Sequence, residues 1–327
     1  MSSLLEVEHL CLSLTVGGKS FDAVTDLSFA IERGQIFGLV GESGCGKSIT
    51  ALALIGLLRR PLAWRSGTIR FNGREIQNLG PDAMRQLRGR HIAMVFQEPM
   101  TALNPLATIG RQIAEMFVLH QGMGWHEADK AAVQALAKVR VAAPDQRVKD
   151  YPHQLSGGMR QRVMIAIALA CKPELLLADE PTTALDVTVQ AEILDLIHDL
   201  SAAQGTAVLL ISHDLGVIAQ SCERVAVMYA GRIVEEAAAG DLFQRPRHHY
   251  TRGLIAGLPL LGARVLNAAH GRTKLQEIKG MVPAVTDFPT GCSFHPRCDR
   301  TTQVCIDREP GLTTLERGAS VRCHHHG

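Results

Sequence analysis

Apolar residues fall along this chain in two rhythms. From Leu4 to Ile36, two apolar-rich stretches, LLEVEHLCLSL and FDAVTDLSFAI, flank a Gly17-Gly18 turn and predict strands. Residues 35–40 form a short unbroken apolar run, as expected of a parallel strand buried on both faces. The run ends in a Gly-rich loop followed by a helix-like stretch over residues 48–58. Further strands are expected at 68–71 and 91–96. Ile109, Ile113, Met116 and Phe117 then recur at i, i+4, i+7 and i+8, and residues 127–139 are rich in Ala and Lys, so this region reads as helical.

Beyond it the alternation is strong. Residues 175–178 read as a strand, and 187–203 as a helix with Val189, Ile193, Leu196, Ile197 and Leu200 on one face. Strands follow at 207–211 and 225–228. Alternating β and α at this spacing predicts an α/β fold, a parallel sheet covered by helices on both faces. After about Ala239 the alternation fades, and Pro246, Pro259, Pro283, Pro289 and Pro296 punctuate a looser C-terminal segment. The 327 residues suggest about two domains.

Composition narrows the classes. Lys and Arg number 34 against 32 Asp and Glu, too even a balance for a nucleic-acid binder. With 46% hydrophobic and 20% charged residues the chain is globular. No apolar run approaches the ~18 residues of a membrane span. Glu6 and Glu8 stand where a signal peptide would be apolar. The expectation is a soluble, cytoplasmic chain, still able to dock on a membrane partner.

Cys11, Cys45, Cys171 and Cys222 are scattered and read as small buried hydrophobes. Cys292, Cys298, Cys305 and Cys323 crowd the C-terminal end, which in a reducing compartment points to a metal or cluster site. Their spacings of five, six and seventeen intervening residues lack the paired C-x-x-C of zinc ribbons, and four thiolates can hold either zinc or an iron–sulfur cluster. His324–His326 reads as a solvated tail.

Three motifs carry chemistry. Gly41-Glu42-Ser43-Gly44-Cys45-Gly46-Lys47-Ser48 fits G-x-x-x-x-G-K-[ST], placed between an apolar strand and a helix. Its backbone N–H groups and the helix dipole suit a phosphate, Lys47 the β- and γ-phosphates, and the Ser48 hydroxyl Mg²⁺. Leu175 to Ala178 ends in Asp179 and Glu180, where a strand's carboxyl end would put two acids beside that loop. Asp179 suits Mg²⁺, and Glu180 suits a general base for the attacking water. Leu155-Ser156-Gly157-Gly158-Met159 makes a second anion-binding corner, economically explained if it serves an ATP held by another subunit; alone it also reads as a capped helix start.

The order GESGCGKS, Gln97 in MVFQEP, LSGGM, LLLADE, Ala184-Leu185-Asp186 and His213 in ISHD resembles the ATP-binding subunit of ABC transporters. The resemblance implies that Gln97 touches Mg²⁺ and the attacking water, that Asp186 crosses a dimer, and that His213 contacts the γ-phosphate. Catalysis then falls to Glu180 and His213. The nucleotide set is Gly41, Glu42, Ser43, Gly44, Cys45, Gly46, Lys47, Ser48, Ile49 and Gln97. Ser156, Gly157, Gly158 and Asp186 meet the partner's ATP, and Ser48, Gln97 and Asp179 hold Mg²⁺. Two departures stand out: no aromatic occupies Leu12-Ser13-Leu14, leaving Phe21 or simple aliphatic packing for the adenine, and the signature ends in Met159.

Tyr151-Pro152-His153-Gln154, the run 178–188, Arg247-His248-His249-Tyr250-Thr251 and Gly291-Cys292-Ser293-Phe294-His295-Pro296-Arg297-Cys298 narrow the likeness to the peptide/nickel importer branch. This implies a P-loop ABC ATPase core with an antiparallel β-subdomain over residues 1–240, a helical subdomain at about 100–165, and a Cys-containing extension over 241–327. It implies an ATPase that powers import at the cytoplasmic face of the inner membrane. Its expected partners are a second, different ABC ATPase, two membrane permeases and a solute-binding protein, with no nucleic acid. For the four cysteines the resemblance favours a [4Fe–4S] cluster over Zn²⁺; the centre lies far in sequence from Lys47 and Glu180, so it is expected to order the tail and take no part in ATP chemistry. Cargo stays open among dipeptide, oligopeptide, nickel chelate, opine and glutathione, and a soluble non-transport ABC ATPase is the alternative.

Overall fold

The computed structural model describes residues 3–183, 185–258 and 278–327, so Ala184 and Pro259 lie outside the described residues. Strands β1 (Leu5–Val16) and β2 (Lys19–Ile31) form one long antiparallel hairpin. With β4 (Leu62–Phe71) and β5 (Arg74–Glu75) they make a four-stranded antiparallel sheet in the order β2-β1-β4-β5.

The larger sheet holds β3 (Ile36–Val40), β6 (Ile92–Val95), β7 (Leu175–Asp179), β8 (Ala207–Ser212), β9 (Arg224–Tyr229), β10 (Arg232–Ala238), β11 (Thr313–Thr314) and β12 (Ser320–Val321). Their order is β11-β12-β10-β9-β3-β8-β7-β6. The five strands β9, β3, β8, β7 and β6 run parallel. Strands β10, β12 and β11 are added antiparallel at one edge.

The apolar runs appear because each parallel strand feeds two cores. Leu175 and Leu177 of β7, with Leu209 and Ile211 of β8, pack with the antiparallel sheet and the helix Lys47–Leu54. Leu176, Ala178, Val208 and Leu210 face the other way, onto the helices Ile109–Gln121, Trp125–Lys138, Gly157–Leu169 and Val187–Gln204. No side-chain position on such a strand meets water, and each buried aliphatic side chain contributes about 1.5–3 kcal/mol.

Boundaries differ in places from the sequence reading. The helix expected to reach residue 58 stops at Leu54, where Leu57 N–H closes the end on Leu52 O (2.8 Å). The strand expected at 68–71 starts six residues earlier, because β1 pairs with it as far as Leu14–Leu62. Cys45 and Cys222 are buried as expected, whereas Cys11 and Cys171 are only half-buried. The segment after Ala239 is the largest difference. It forms the helices Ala239–Gln244 and His249–Ala256 and then returns through β11 and β12 to the edge of the main sheet. Val321 pairs with Glu235 and Ser320 with Glu236, so the C-terminal chain continues the sheet.

Candidate nucleotide site

The loop 41–48 joins β3 to the helix Lys47–Leu54 at the carboxyl end of the parallel strands. A Cβ at Gly41 would lie 2.2 Å from Met228 O, so only glycine allows this close approach to β9. Ser43 and Gly44 form the exposed tip, while Ile49 packs on the core below. Lys47 is buried and donates from Nζ to Gly41 O (2.6 Å) and Glu42 O (3.0 Å), with Cys45 Sγ 3.7 Å away. The ammonium thus spans the concavity that its own loop encloses. Burial pushes the Cys45 thiol upward, so it behaves as packing and not as a nucleophile.

Ser48 and Asp179 come together, the Ser48 hydroxyl donating to Asp179 Oδ1 at 3.0 Å. Burial raises the Asp179 pKa and the neighbouring Glu180 charge adds to this, while Ser48 and Lys47 oppose it. A buried carboxylate beside a hydroxyl, with its charge incompletely matched, is a donor set suited to a hard divalent cation.

Glu180 follows at φ 45°, a left-handed conformation uncommon for a residue with a side chain and worth about 1–3 kcal/mol of strain. Its N–H bonds Ile211 O (2.9 Å), which ties the turn to β8. Three groups converge on Glu180 Oε2: Gln97 Nε2 donates at 3.0 Å, Thr183 Oγ1 donates at 2.9 Å, and His213 Nδ1 lies 3.2 Å away. The structure therefore gathers Gln97, Glu180 and His213 from three loops into one cluster. Thr183 is a member that sequence reasoning missed, although it lies in the quoted run 178–188.

The signature corner is built differently. Ser156 caps the helix Gly157–Leu169, its hydroxyl accepting from Met159 N (3.3 Å). Gly157 and Gly158 face Leu185 and Val189. Asp186 caps the helix Val187–Gln204, accepting from Val189 N (3.0 Å). Among the described residues no hydrogen bond joins Ser156, Gly157 or Gly158 to the loop 41–48. Phe21 stands opposite Leu14 in the hairpin and lines a cavity with Asp22, Arg65, Ala230, Val285 and Phe288. The neighbouring Gly231 N–H bonds Cys45 O (2.9 Å), which places this cavity beside the phosphate loop.

The C-terminal segment reaches the same loop through residues other than its cysteines. Arg297 forms a two-pronged pair with Glu42, at 2.7 and 3.0 Å. Tyr250 Oη accepts the Glu42 N–H at 2.9 Å. Sequence distance hid both contacts: the two charged residues are 255 positions apart. Cys292, Cys298, Cys305 and Cys323 line one small cavity together with Phe294 and His325. Burial pushes the Cys292 thiol up to about 11, and it raises Cys298 and Cys323 as well. Two of the histidines read as a solvated tail are hydrogen-bonded at the surface. His324 Nε2 meets Arg308 O at 2.9 Å and His325 Nε2 meets Thr302 Oγ1 at 2.7 Å. Among the described residues, His249, Cys298 and Asp299 form the one set of three or more His, Cys, Asp or Glu ligand atoms within 4.8 Å of each other. Periodicity and spacing gave no sign of that trio.

Known proteins agree with this arrangement. Residues 24–183 match the family described as ABC transporter, and residues 234–305 match that described as oligopeptide/dipeptide transporter, C-terminal region. A probable peptide ABC transporter ATP-binding protein of Sinorhizobium fredii is 50% identical, over 92% of this chain and 88% of its own. The oligopeptide transport ATP-binding protein AppD of Bacillus subtilis is 45% identical, over 99% and 97%. The dipeptide transport ATP-binding protein DppD of Escherichia coli is 42% identical, over 99% and 97%. Among solved structures, the ATP-binding cassette MJ0796, a dimer bound to ADP and phosphate, superposes with a TM-score of 0.65 at 27% identity, over 72% of this chain and 98% of its own. The chain belongs to the ABC transporter ATPases, as an ATP-binding, ATP-hydrolysing subunit of the oligopeptide/dipeptide transporter branch.

Proposed function

We propose that this ATPase powers uptake of peptides or a related small solute through membrane permeases, hydrolysing ATP held between its phosphate loop and the signature corner of a second ABC ATPase. The observation that carries the catalytic part is the convergence of Gln97, Thr183 and His213 on Glu180 Oε2. A carboxylate with these neighbours, at the carboxyl end of β7, is placed to orient and deprotonate a water. His213, exposed at the rim, is placed to contact the γ-phosphate, and Lys47 to turn from its loop carbonyls onto the phosphates. Ser48 and Asp179 would hold Mg²⁺, with Gln97 completing the set; the ion would supply neutralisation of the phosphate charge. Phe21 and Phe288, lining one cavity beside the loop, support placing the adenine there.

The signature corner faces Leu185 and Val189 and not its own loop, which supports a head-to-tail dimer in which Ser156, Gly157, Gly158 and Asp186 meet the partner's ATP. Val187, beside Asp186, is 84% exposed, an apolar side chain left for such a partner. Met100 and Leu106, just after Gln97, are also exposed and offer an apolar face to a permease. Among the described residues no helix is long and apolar enough to cross a membrane, so translocation needs those separate permeases, with a solute-binding protein to deliver cargo. Residues 1–240 would be the nucleotide-binding unit, with its helical part at about 100–165, and 241–327 the extension wrapped on it. The transporter-type match over 234–305 speaks against a soluble non-transport ATPase.

For the thiols, the donor set fits a [4Fe–4S] cluster. All four line one cavity, yet no three lie within 4.8 Å of one another. A single tetrahedral zinc, with Zn–S of about 2.3 Å, needs sulfurs about 3.8 Å apart. Anaerobically purified protein should be brown with about four irons per chain. A colourless protein with one zinc, on the thiols or on His249, Cys298 and Asp299, would overturn the cluster.

Glu180→Gln tests the hydrolytic reading. ATP binding should persist, and trapped dimer accumulate, while turnover falls about 10²–10⁴-fold. Near-normal turnover would remove Glu180 from its role.

A further inference from the structure

Glu42 is an unexpected residue at the entrance to a phosphate site, because a free carboxylate there would repel the incoming anion. The structure leaves it neither free nor mobile. Both carboxylate oxygens are taken by the Arg297 guanidinium, Nη1 at 2.7 Å and Nη2 at 3.0 Å. Its backbone N–H is taken by Tyr250 Oη, and its backbone carbonyl accepts from Lys47 Nζ at 3.0 Å. One loop residue thus links the phosphate-binding lysine to two side chains of the C-terminal segment.

Arg297 is itself fully held. Its side chain is 5% exposed. Nε donates to Lys279 O at 2.9 Å and Nη2 to Gly280 O at 3.2 Å, and the guanidinium lies 5.8 Å from the Tyr229 ring centroid. Its backbone N–H bonds Phe294 O in the short turn His295–Arg297, which leads directly into Cys298. A charge-assisted, two-pronged pair fixes orientation as well as charge, which an ammonium could not reproduce. The pairing turns Glu42 from a repulsive carboxylate into a fixed, neutralised strut.

We propose that Arg297 is a positioning residue of the nucleotide site: it neutralises and orients Glu42, and through it the loop that presents Lys47, so that the order of the thiol-bearing turn sets ATP affinity. The proposal rests on reading residues 41–48 as the nucleotide site. It gives the extension a role beyond structural trim. A change of state at the thiols that displaces Cys298 moves Arg297 by way of the adjoining peptide, and unpairs a negative charge at the mouth of the phosphate loop.

The test uses the full chain with Mg²⁺ and a fluorescent ATP analogue, reading the dissociation constant and, separately, KM and kcat for ATP. Arg297→Ala should weaken binding about tenfold, with kcat at saturating ATP within about twofold of the parent, the size of coupling seen between contacting groups. Adding Glu42→Gln to Arg297→Ala should restore most of the loss, since no unpaired charge then remains. Arg297→Lys, which keeps the charge and is the milder change for folding, should lose about threefold, because the second bond is missing. Unchanged affinity in both Arg297 variants would overturn the proposal. So would a double variant as weak as Arg297→Ala alone, since the loss would then owe nothing to an unpaired Glu42 charge. Lys47→Ala separates the two readings: if it leaves ATP binding intact, the nucleotide site itself is misassigned, whereas if it abolishes binding while the Arg297 variants do nothing, this inference alone fails.

Discussion

The interior of the main sheet and its β11 edge are held by different physics. Around β7 and β8 alternate side chains enter two separate cores, and the residues from Leu175 to Ala178 are all buried. Asp179 and Glu180, at the end of that strand, inherit its rigidity. At the edge, β11 and β12 have two residues each. Of residues 278–327 only Phe294, Cys305, Pro310 and Val321 are buried. That segment is fixed by anchors into the rest of the molecule: Arg297 on Glu42, Arg322 on Asp26, and Glu309 on Arg232. A region with a core of its own can position chemistry. A region that borrows its order can report on whatever it is anchored to, and here one of the anchors is on the phosphate loop.

Phe294→Ala strikes the extension's principal apolar anchor. The ring meets Tyr229 edge-on at 5.2 Å, Tyr250 at 5.4 Å and His248 at 5.7 Å. Removing it should cost about 3–5 kcal/mol, and hydrogen exchange should show the loss in residues 278–327 first. Equal loss of protection in β7 and β8 would mean that the two regions unfold as one unit, and would break the comparison. Lys47→Ala strikes the loop after the central strand β3 and should remove about 2–3 kcal/mol of ATP binding, as for a hydrogen bond to a charged group. The Arg297–Glu42 pair does not use the lysine ammonium, so the extension's exchange protection should hold. Its loss would mean that Lys47, and not that pair, orders the extension.

What the sequence makes legible follows from the same contrast. Strands β3, β7 and β8 are readable because burial on both faces leaves an unbroken apolar run. Lys47, Ser48, Asp179, Gln97, Glu180 and His213 are readable because each lies in a short local motif at a strand end or loop. The cluster on Glu180 Oε2 is assembled by the fold, yet each member announces itself separately. Strands β11 and β12 are illegible, since two residues carry no period. The Arg297–Glu42 pair is illegible for another reason: an arginine in a Pro-rich turn looks like any solvated cation until the chain has folded back upon the loop. The bonds of His324 and His325 are illegible in the same way, their partners Arg308 and Thr302 lying in irregular chain.

Gly291→Ala sharpens the contrast without touching a sulfur. Gly291 takes φ 72°, and a Cβ there would stand 2.4 Å from both Cys305 O and Ile306 O. The next residue, Cys292, donates its N–H to Cys305 O at 2.8 Å, so the clash falls on the contact that brings two thiols together. Strain alone should cost about 1–3 kcal/mol. If the thiols hold the proposed cluster, iron content per chain should fall, and ATP affinity should fall with it if Arg297 moves with the turn. Unaltered iron content would show that the cavity tolerates a shifted Cys292.

The smallest effect is at Ser156, where two explanations of one residue can be separated. As the cap of the helix Gly157–Leu169, accepting from Met159 N, its hydroxyl is worth about 1 kcal/mol, and Ser156→Ala should lose that much stability. As a contact to the partner's ATP it should also support turnover, which Ala would reduce beyond the stability loss. Ser156→Asp divides the two roles. Aspartate caps a helix as well as serine, so stability should hold close to the parent's. Its negative charge would face the partner's γ-phosphate, so ATP-dependent dimerisation and turnover should fall further than with Ala. A Ser156→Asp protein that is both stable and fully active would make the corner a helix start and nothing more, leaving the nucleotide enclosed by one chain.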